Sequence, residues 1–280
     1  MSRCVVLIPI YKSHLSFDEE ASLRQCVRIL GRHPIVLVCP EGLDVSRYEI
    51  VAGKTLPRKC FDPRYFESVE GYSELLLKRE FYESFSTYEY MLIHQLDAWV
   101  FEDALFSWCD KGYDYIGAPW FYQNKSHEEG FSLWLVGNGG FSLRRVSKFL
   151  EITAEGRIIR FSLRHLFCKD MFHKWYRRLY LRNLSCFSGS NLPSFIKGFY
   201  KPWEDLVFCH GLRGSNLQLY VPSPKKAALF SIEVSPEYLY TEVNRRVLPF
   251  GCHAWRKYQY EDFWSKFILI DEGLCIGMTS

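Results

Sequence analysis

Apolar residues recur along the chain in two alternating rhythms. Residues 4–10 (CVVLIPI) form a continuous apolar, β-branched run. Such a run fits a strand buried on both faces of a sheet. After a polar loop over residues 11–15, Ser16 and Glu19 stand at the spacing of a capping box. Leu23, Cys26, Val27 and Leu30 then repeat at i, i+3, i+4 and i+7, and Gly31 follows. That is one face of a helix with its stop signal. Residues 35–39 (IVLVC) predict a second buried strand. The three elements make a βαβ unit, which takes a right-handed crossover and parallel strands. Further helices are predicted at 70–85 and 103–111, and further strands at 88–96 and 113–118. The strand ends of such a sheet gather on one edge, where open α/β sheets bind ligands. That edge is expected to present Tyr11, Lys12, Glu41 and Asp97.

Past residue 120 the rhythm changes. Gly137-Asn138-Gly139-Gly140 reads as a flexible turn between apolar segments, and 144–152 reads as a helix. Residues 157–201 form a distinct block with ten Lys or Arg against one acid, Asp170, and many interleaved aromatics. One reading is a solvated helical excursion with its aromatics packed inward. The other is a contact with anionic lipid, to which cations and aromatic rings both contribute. Pro202-Trp203-Glu204-Asp205 then opens an apolar helix that runs to Leu212, with acids in its first turn. A late loop, LPFGCHAW (248–255), carries a lone histidine, His253.

Composition narrows the function class. The formal net charge is +3 and hydrophobic residues make up 48% of the 280 residues. The apolar content excludes a disordered chain. The small charge argues against a general nucleic-acid surface. No apolar run approaches the roughly 20 residues that span a bilayer. The N-terminal run, interrupted by Pro9, reads as a core strand rather than a signal peptide. Ten cysteines include no CxxC pair, so zinc spacing is absent and reduced thiols in the cytoplasm are expected.

Several residues carry chemistry, each with a plainer alternative. An acid at the end of a buried strand, Asp97, needs a partner, a metal or solvent, but it also suits a helix cap. Glu204 and Asp205 at a helix start read either as caps or as a general base held near the sheet edge. His253 reads as a structural histidine or a ligand. Neither GxxxxGK nor GxGxxG is present, so the glycine string is no phosphate loop or dinucleotide fingerprint.

In their order along the chain these features resemble glycosyltransferases of the GT-A fold. The phrases LIPIYK, LVCPEGLD, HQLDAWVF, YDYIGAPW, VGNGGFSLR, WEDLVF and FGCHAW look closer still to a bacterial domain of unknown function, catalogued as glycosyltransferases of unknown specificity. The likeness spans about residues 3–150 and 200–256. It implies a single GT-A-like domain over residues 1–280: an α/β fold with a mixed, Rossmann-like sheet flanked by helices and a basic helical insertion at 157–201. Residues 1–120 would be the nucleotide-sugar-binding half and 121–280 the acceptor-side half.

The resemblance also implies an activity and its residues. A sugar would pass from a nucleotide-sugar donor, a UDP-sugar, to a glycan or lipid-linked glycan in bacterial surface polysaccharide synthesis, with inversion. Asp205 would be the base, with Glu204 beside it. Pro9, Tyr11, Lys12, Glu41, Lys78, Asp97 and Trp99 would hold the nucleotide sugar. Asn138, Gly139 and Gly140 would form the acceptor loop. Asp97 and His253 would ligate Mn²⁺ or Mg²⁺. Trp99 stands where the Asp-x-Asp motif of the fold has its second acid. The metal would then lean on Asp97, His253 and the diphosphate. The alternative is a metal-independent enzyme in which Lys12, Lys78 or Arg79 offsets the leaving-group charge. A cytoplasmic protein at the inner face of the membrane follows, with 157–201 against anionic lipid and no nucleic-acid partner. Two other readings stay open: a non-catalytic sugar-nucleotide or glycan-binding protein, and a nucleotidyltransferase releasing pyrophosphate.

Overall fold

The computed structural model describes residues 2–161, 189–199 and 202–270. Most of the basic block, residues 162–188 together with 200 and 201, lies outside the described residues. Its described ends are not helical throughout: β-type pairing joins Ile158–Ile159 to Ser190–Asn191, and a short helix, Leu192–Ile196, follows.

The strands in chain order are β1 (Ser2–Pro9), β2 (Ile35–Pro40), β3 (Arg58–Phe61), β4 (Tyr88–His94), β5 (Trp99–Val100), β6 (Tyr115–Ile116), β7 (Pro119–Phe121), β8 (Leu133–Val136), β9 (Phe141–Arg145), β10 (Ile158–Ile159), β11 (Ser190–Asn191), β12 (Ser231–Ile232) and β13 (Gly251–Cys252). Among the described residues the main sheet has six strands in the order β3-β2-β1-β4-β9-β6. Pairings among β1 to β4 are parallel, and β9 runs antiparallel to both β4 and β6. This is a mixed α/β sheet with helices packed on it. The apolar run of β1 is buried from Cys4 to Ile8, as a central strand requires.

The first helix, α1 (Phe17–Leu30), starts as its sequence predicts. Ser16 Oγ accepts from the Glu19 N–H at 3.3 Å, and Glu19 returns a bond to the Ser16 N–H at 2.7 Å. Leu23, Cys26 and Leu30 are buried. Two polar residues on α1 are buried as well. Ser22 Oγ donates to the Ala98 carbonyl at 2.6 Å, and Gln25 Nε2 to the Val100 carbonyl at 2.7 Å. These bonds fix the segment that follows Asp97.

The helix expected over 70–85 is broken in two, α2 (Val69–Leu76) and α3 (Arg79–Glu83). Leu75, Leu76 and Leu77 are all buried, and so are Phe81 and Tyr82. One straight helical stripe cannot bury that set. Lys78, in extended conformation, turns the second piece so that its own face points inward. The segment 144–152 also departs from a single helix. Arg144 and Arg145 end strand β9, and the helix begins at Val146.

A second, smaller core lies under the three-stranded sheet β12-β13-β5. It contains Trp99, Ile232, Cys252, Trp255 and Trp264. Among the described residues, no helix is long and apolar enough to cross a membrane.

Candidate active site

The parallel strands carry their loops to one edge of the sheet. There the chain turns at the end of β4 (His94–Gln95), just before β9 (138–140), after β12 (Glu233) and after β13 (His253). These four turns, with the segment 203–206, enclose a cavity of about 910 Å³.

His253 is the hub of one wall. Its Nε2 lies 3.1 Å from Asp97 Oδ1 and 3.2 Å from Gln95 Oε1. Its Nδ1 lies 3.2 Å from Glu233 Oε1. Burial works against a charged imidazole, but Asp97 and Glu233 outweigh it and hold the His253 pKa up at about 10. Partial desolvation works to raise the carboxyl of Asp97, whose side chain is 53% exposed, and the His253 hydrogen bond and charge overcome it, leaving the carboxyl below the usual range. Glu233 reaches further: its other oxygen accepts from Asn138 Nδ2. Asn138 has a left-handed φ of 65°, and its Oδ1 accepts from the Gly140 N–H at 3.2 Å. The glycine turn is therefore tied to His253 through Glu233 rather than left flexible. Its glycines are required by contact. A Cβ on Gly139 would overlap the Glu204 carboxylate, and one on Gly140 would overlap the His253 ring.

The opposite wall carries Glu204 and Asp205. Glu204 is buried, with both oxygens bonded: Oε1 accepts from Arg144 Nη2 at 2.9 Å and Oε2 from Ser73 Oγ at 3.0 Å. Asp205 is half-buried, and Oδ1 accepts from the Leu206 N–H at 2.7 Å. Burial first, and then the Glu204 charge, push the Asp205 pKa up to about 7. The apolar helix after it, Leu206–Gly211, is wound as a π-helix, a form that concentrates at functional sites. Aromatic rings, among them Tyr72, Trp120, Trp134 and Trp203, complete the cavity wall.

Of the residues expected from the sequence, the cavity brings together Asn138, Gly139, Gly140, Glu204, Asp205 and His253, with Asp97 bonded to His253. Pro9, Tyr11, Lys12 and Glu41 sit at the carboxyl ends of β1 and β2, on the same sheet edge but outside the cavity lining. Lys12 is paired with Glu19 at 2.8 Å, Lys78 with Glu74 at 3.1 Å and Arg79 with Glu83 at 2.6 Å. None of these three cations lines the cavity. Trp99 packs edge-on against Trp255 in the smaller core, with centroids 5.8 Å apart. It is 7% exposed, so it supplies packing where the sequence suggested a ligand contact. Glu204, likewise, is occupied by Arg144 and Ser73.

Three contributors escaped the sequence reading: Glu233, Arg144 and Lys257. Lys257 lines the cavity, with its Nζ 5.0 Å from the Tyr258 ring centre. Lys125 lines it too but is paired with Glu129 at 2.9 Å. Lys257 has no carboxylate within ion-pair distance among the described residues. Arg144 left no clear signal, because it stands between Ser142 and a second arginine, Arg145, in a strand of five residues, and only the fold shows that it is the buried one of the two.

Residues 55–253 match the family described as "Protein of unknown function (DUF5672)". The chain belongs to the DUF5672 family. No curated protein matches its sequence. Among solved structures it is similar to the glycosyltransferase GlyE of Streptococcus pneumoniae, at 13% identity and a TM-score of 0.48, over 97% of this chain and 61% of that one. It is also similar to the galactosyltransferase LgtC, solved with donor and acceptor sugar analogues, at 11% identity and a TM-score of 0.47, over 89% and 86% of the two chains. Core-mannan synthase A of Aspergillus fumigatus, solved in an Mn/GDP form, is similar at 9% identity and a TM-score of 0.39, over 53% and 61%.

Proposed function

We propose that this DUF5672 protein transfers a sugar from a nucleotide-sugar donor to an acceptor hydroxyl, with Asp205 as the base. One observation carries the reading. A single cavity at the sheet's carboxyl edge joins a carboxylate whose pKa lies near neutrality, Asp205, to His253 with its partner Asp97, and Lys257 stands beside them. A general base works best with a pKa near the working pH. Diphosphate binding needs positive charge facing it.

The Asp97–His253 pair also fits a divalent cation. A cation bound there would take the place of the proton that His253 Nε2 shares with Asp97 Oδ1 across 3.1 Å. Glu233 on Nδ1 orients the ring as the outer carboxylate of a metal-bound histidine does. Among the described residues no three of His, Cys, Asp or Glu converge on one point. Asp97 and His253 would therefore hold Mn²⁺ or Mg²⁺ with help from phosphate oxygens, the usual manner for such ions. When bound, the ion neutralises charge developing on the diphosphate.

The residues then divide the work. Lys257 holds the diphosphate and stabilises its charge as it leaves. Asp205 takes the proton of the acceptor hydroxyl. That oxygen bonds to the anomeric carbon as the bond from the anomeric carbon to the diphosphate oxygen breaks. This is a single displacement with inversion. The aromatic wall offers flat apolar faces for a sugar acceptor. A UDP-sugar donor and a glycan acceptor are the partners the sequence resemblance implies.

The test is release of UDP from UDP-sugars in the presence of oligosaccharide acceptors. Asp205→Asn should lower kcat by roughly 10²- to 10⁴-fold while donor binding persists. Full transfer by a folded Asp205→Asn protein would remove Asp205 as the base.

A further inference from the structure

We propose that Arg144 is a positioning residue of this site. From inside β9 it engages Glu204, so that of two adjacent carboxylates only Asp205 is left to exchange a proton with an acceptor. The inference rests on the transferase reading above and deepens it.

Arg144 is fully buried, at 0% exposure. A buried guanidinium is costly unless an anion meets it. Glu204 meets it at 2.9 Å, Ser142 Oγ at 3.2 Å and the Tyr82 hydroxyl at 3.4 Å. Its guanidinium carbon lies over the Tyr115 and Phe149 rings, 5.4 Å and 5.8 Å from their centres. Ser73 fills the remaining side of Glu204. The absence of a side chain at Gly139 lets the Glu204 carboxylate reach this position. Arg144 therefore ties the strand after the glycine turn, helix α2 and the segment 203–206 into one unit. Asp205 is next to this unit and accepts one hydrogen bond, from the Leu206 N–H.

The charges acting on Asp205 come from three elements. Glu204 and Glu233 raise its proton affinity, and Arg144 lowers it. Tyr115 on β6 and Cys209 on the following helix also interact with it. Removing the cation or the anion of the pair should therefore move Asp205 in opposite directions. A role confined to packing would move it in neither.

The experiment follows the Asp205 carboxyl carbon by NMR over roughly pH 4 to 9 in the full chain, without substrate. Arg144→Met should raise the titration midpoint by about one unit or more, and Glu204→Gln should lower it by a similar amount. The acid limb of the transfer rate should follow both. If either single variant does not fold, the double variant Arg144→Met/Glu204→Gln decides, because it leaves no unpaired buried charge. Its midpoint should fall below wild type, since the Glu204 charge acts on Asp205 more strongly than Arg144 does. Unmoved midpoints overturn the proposal. Because no substrate is present, shifted midpoints in a protein that transfers no sugar would support the Arg144–Asp205 link and remove only the transferase reading.

Discussion

A methyl group on Gly140 would overlap the His253 imidazole and the Gln95 amide oxygen. His253 is held by Asp97 and Glu233, so its ring cannot give way freely. Gly140→Ala should cost about 1–3 kcal/mol, the range of overpacked sites. Differential scanning calorimetry reads this directly, and an unchanged melting temperature would show that His253 is not held as described. At this scale the sequence exposed Asp97, Asp205 and His253 because their order along the chain is distinctive. It concealed Glu233 and Lys257. Glu233 follows a two-residue strand, and Lys257 is one cation among 35 Lys and Arg. Only the fold brings them to the cavity. Trp99 misled because the motif position is set by spacing, whereas its ring is buried by the Trp255 core.

Elements with local signals were legible, and those governed by distant packing were not. The capping box made the start of α1 readable to the residue. Ser16→Ala removes it and should cost about 1 kcal/mol, seen as a lower denaturation midpoint with an unchanged m-value. No loss of stability would mean that the capping bonds contribute nothing net. Strands β1 and β2 were legible as continuous apolar runs. The segment 144–152 was not, because Leu143, Val146, Phe149 and Ile152 are all buried at a three-residue spacing that runs across the strand–helix junction. The break at Lys78 was hidden for a related reason: both halves are apolar, and only the sheet decides which way each faces.

At the scale of the whole molecule, two site groups bind protons more tightly folded than unfolded. Asp205, pushed up to about 7 from an ordinary 3.8, keeps its proton through a window in which the unfolded chain has lost it. His253, raised to about 10 from 6.5, does the same at higher pH. Each contributes stability at low pH that disappears as pH rises, the Asp205 share by about 7 and the His253 share by about 10. Melting temperatures should therefore decline from pH 6 to 10. Asp205→Asn should flatten the part below 7, and His253→Gln the part above. A rise in stability over that range would contradict the assigned environments. The fold sets both environments by placing the turns after β4, β12 and β13 beside segment 203–206. Under the proposed function this convergence is a nucleotide-sugar donor site. Calorimetric titration with UDP, with Mn²⁺ and with EDTA, on wild type and on Lys257→Ala and His253→Ala, tests it most directly. UDP binding should be strengthened by Mn²⁺, weakened roughly 10-fold or more by loss of Lys257, and made insensitive to EDTA by loss of His253. No binding of UDP, GDP, CDP or ADP under either condition would contradict it.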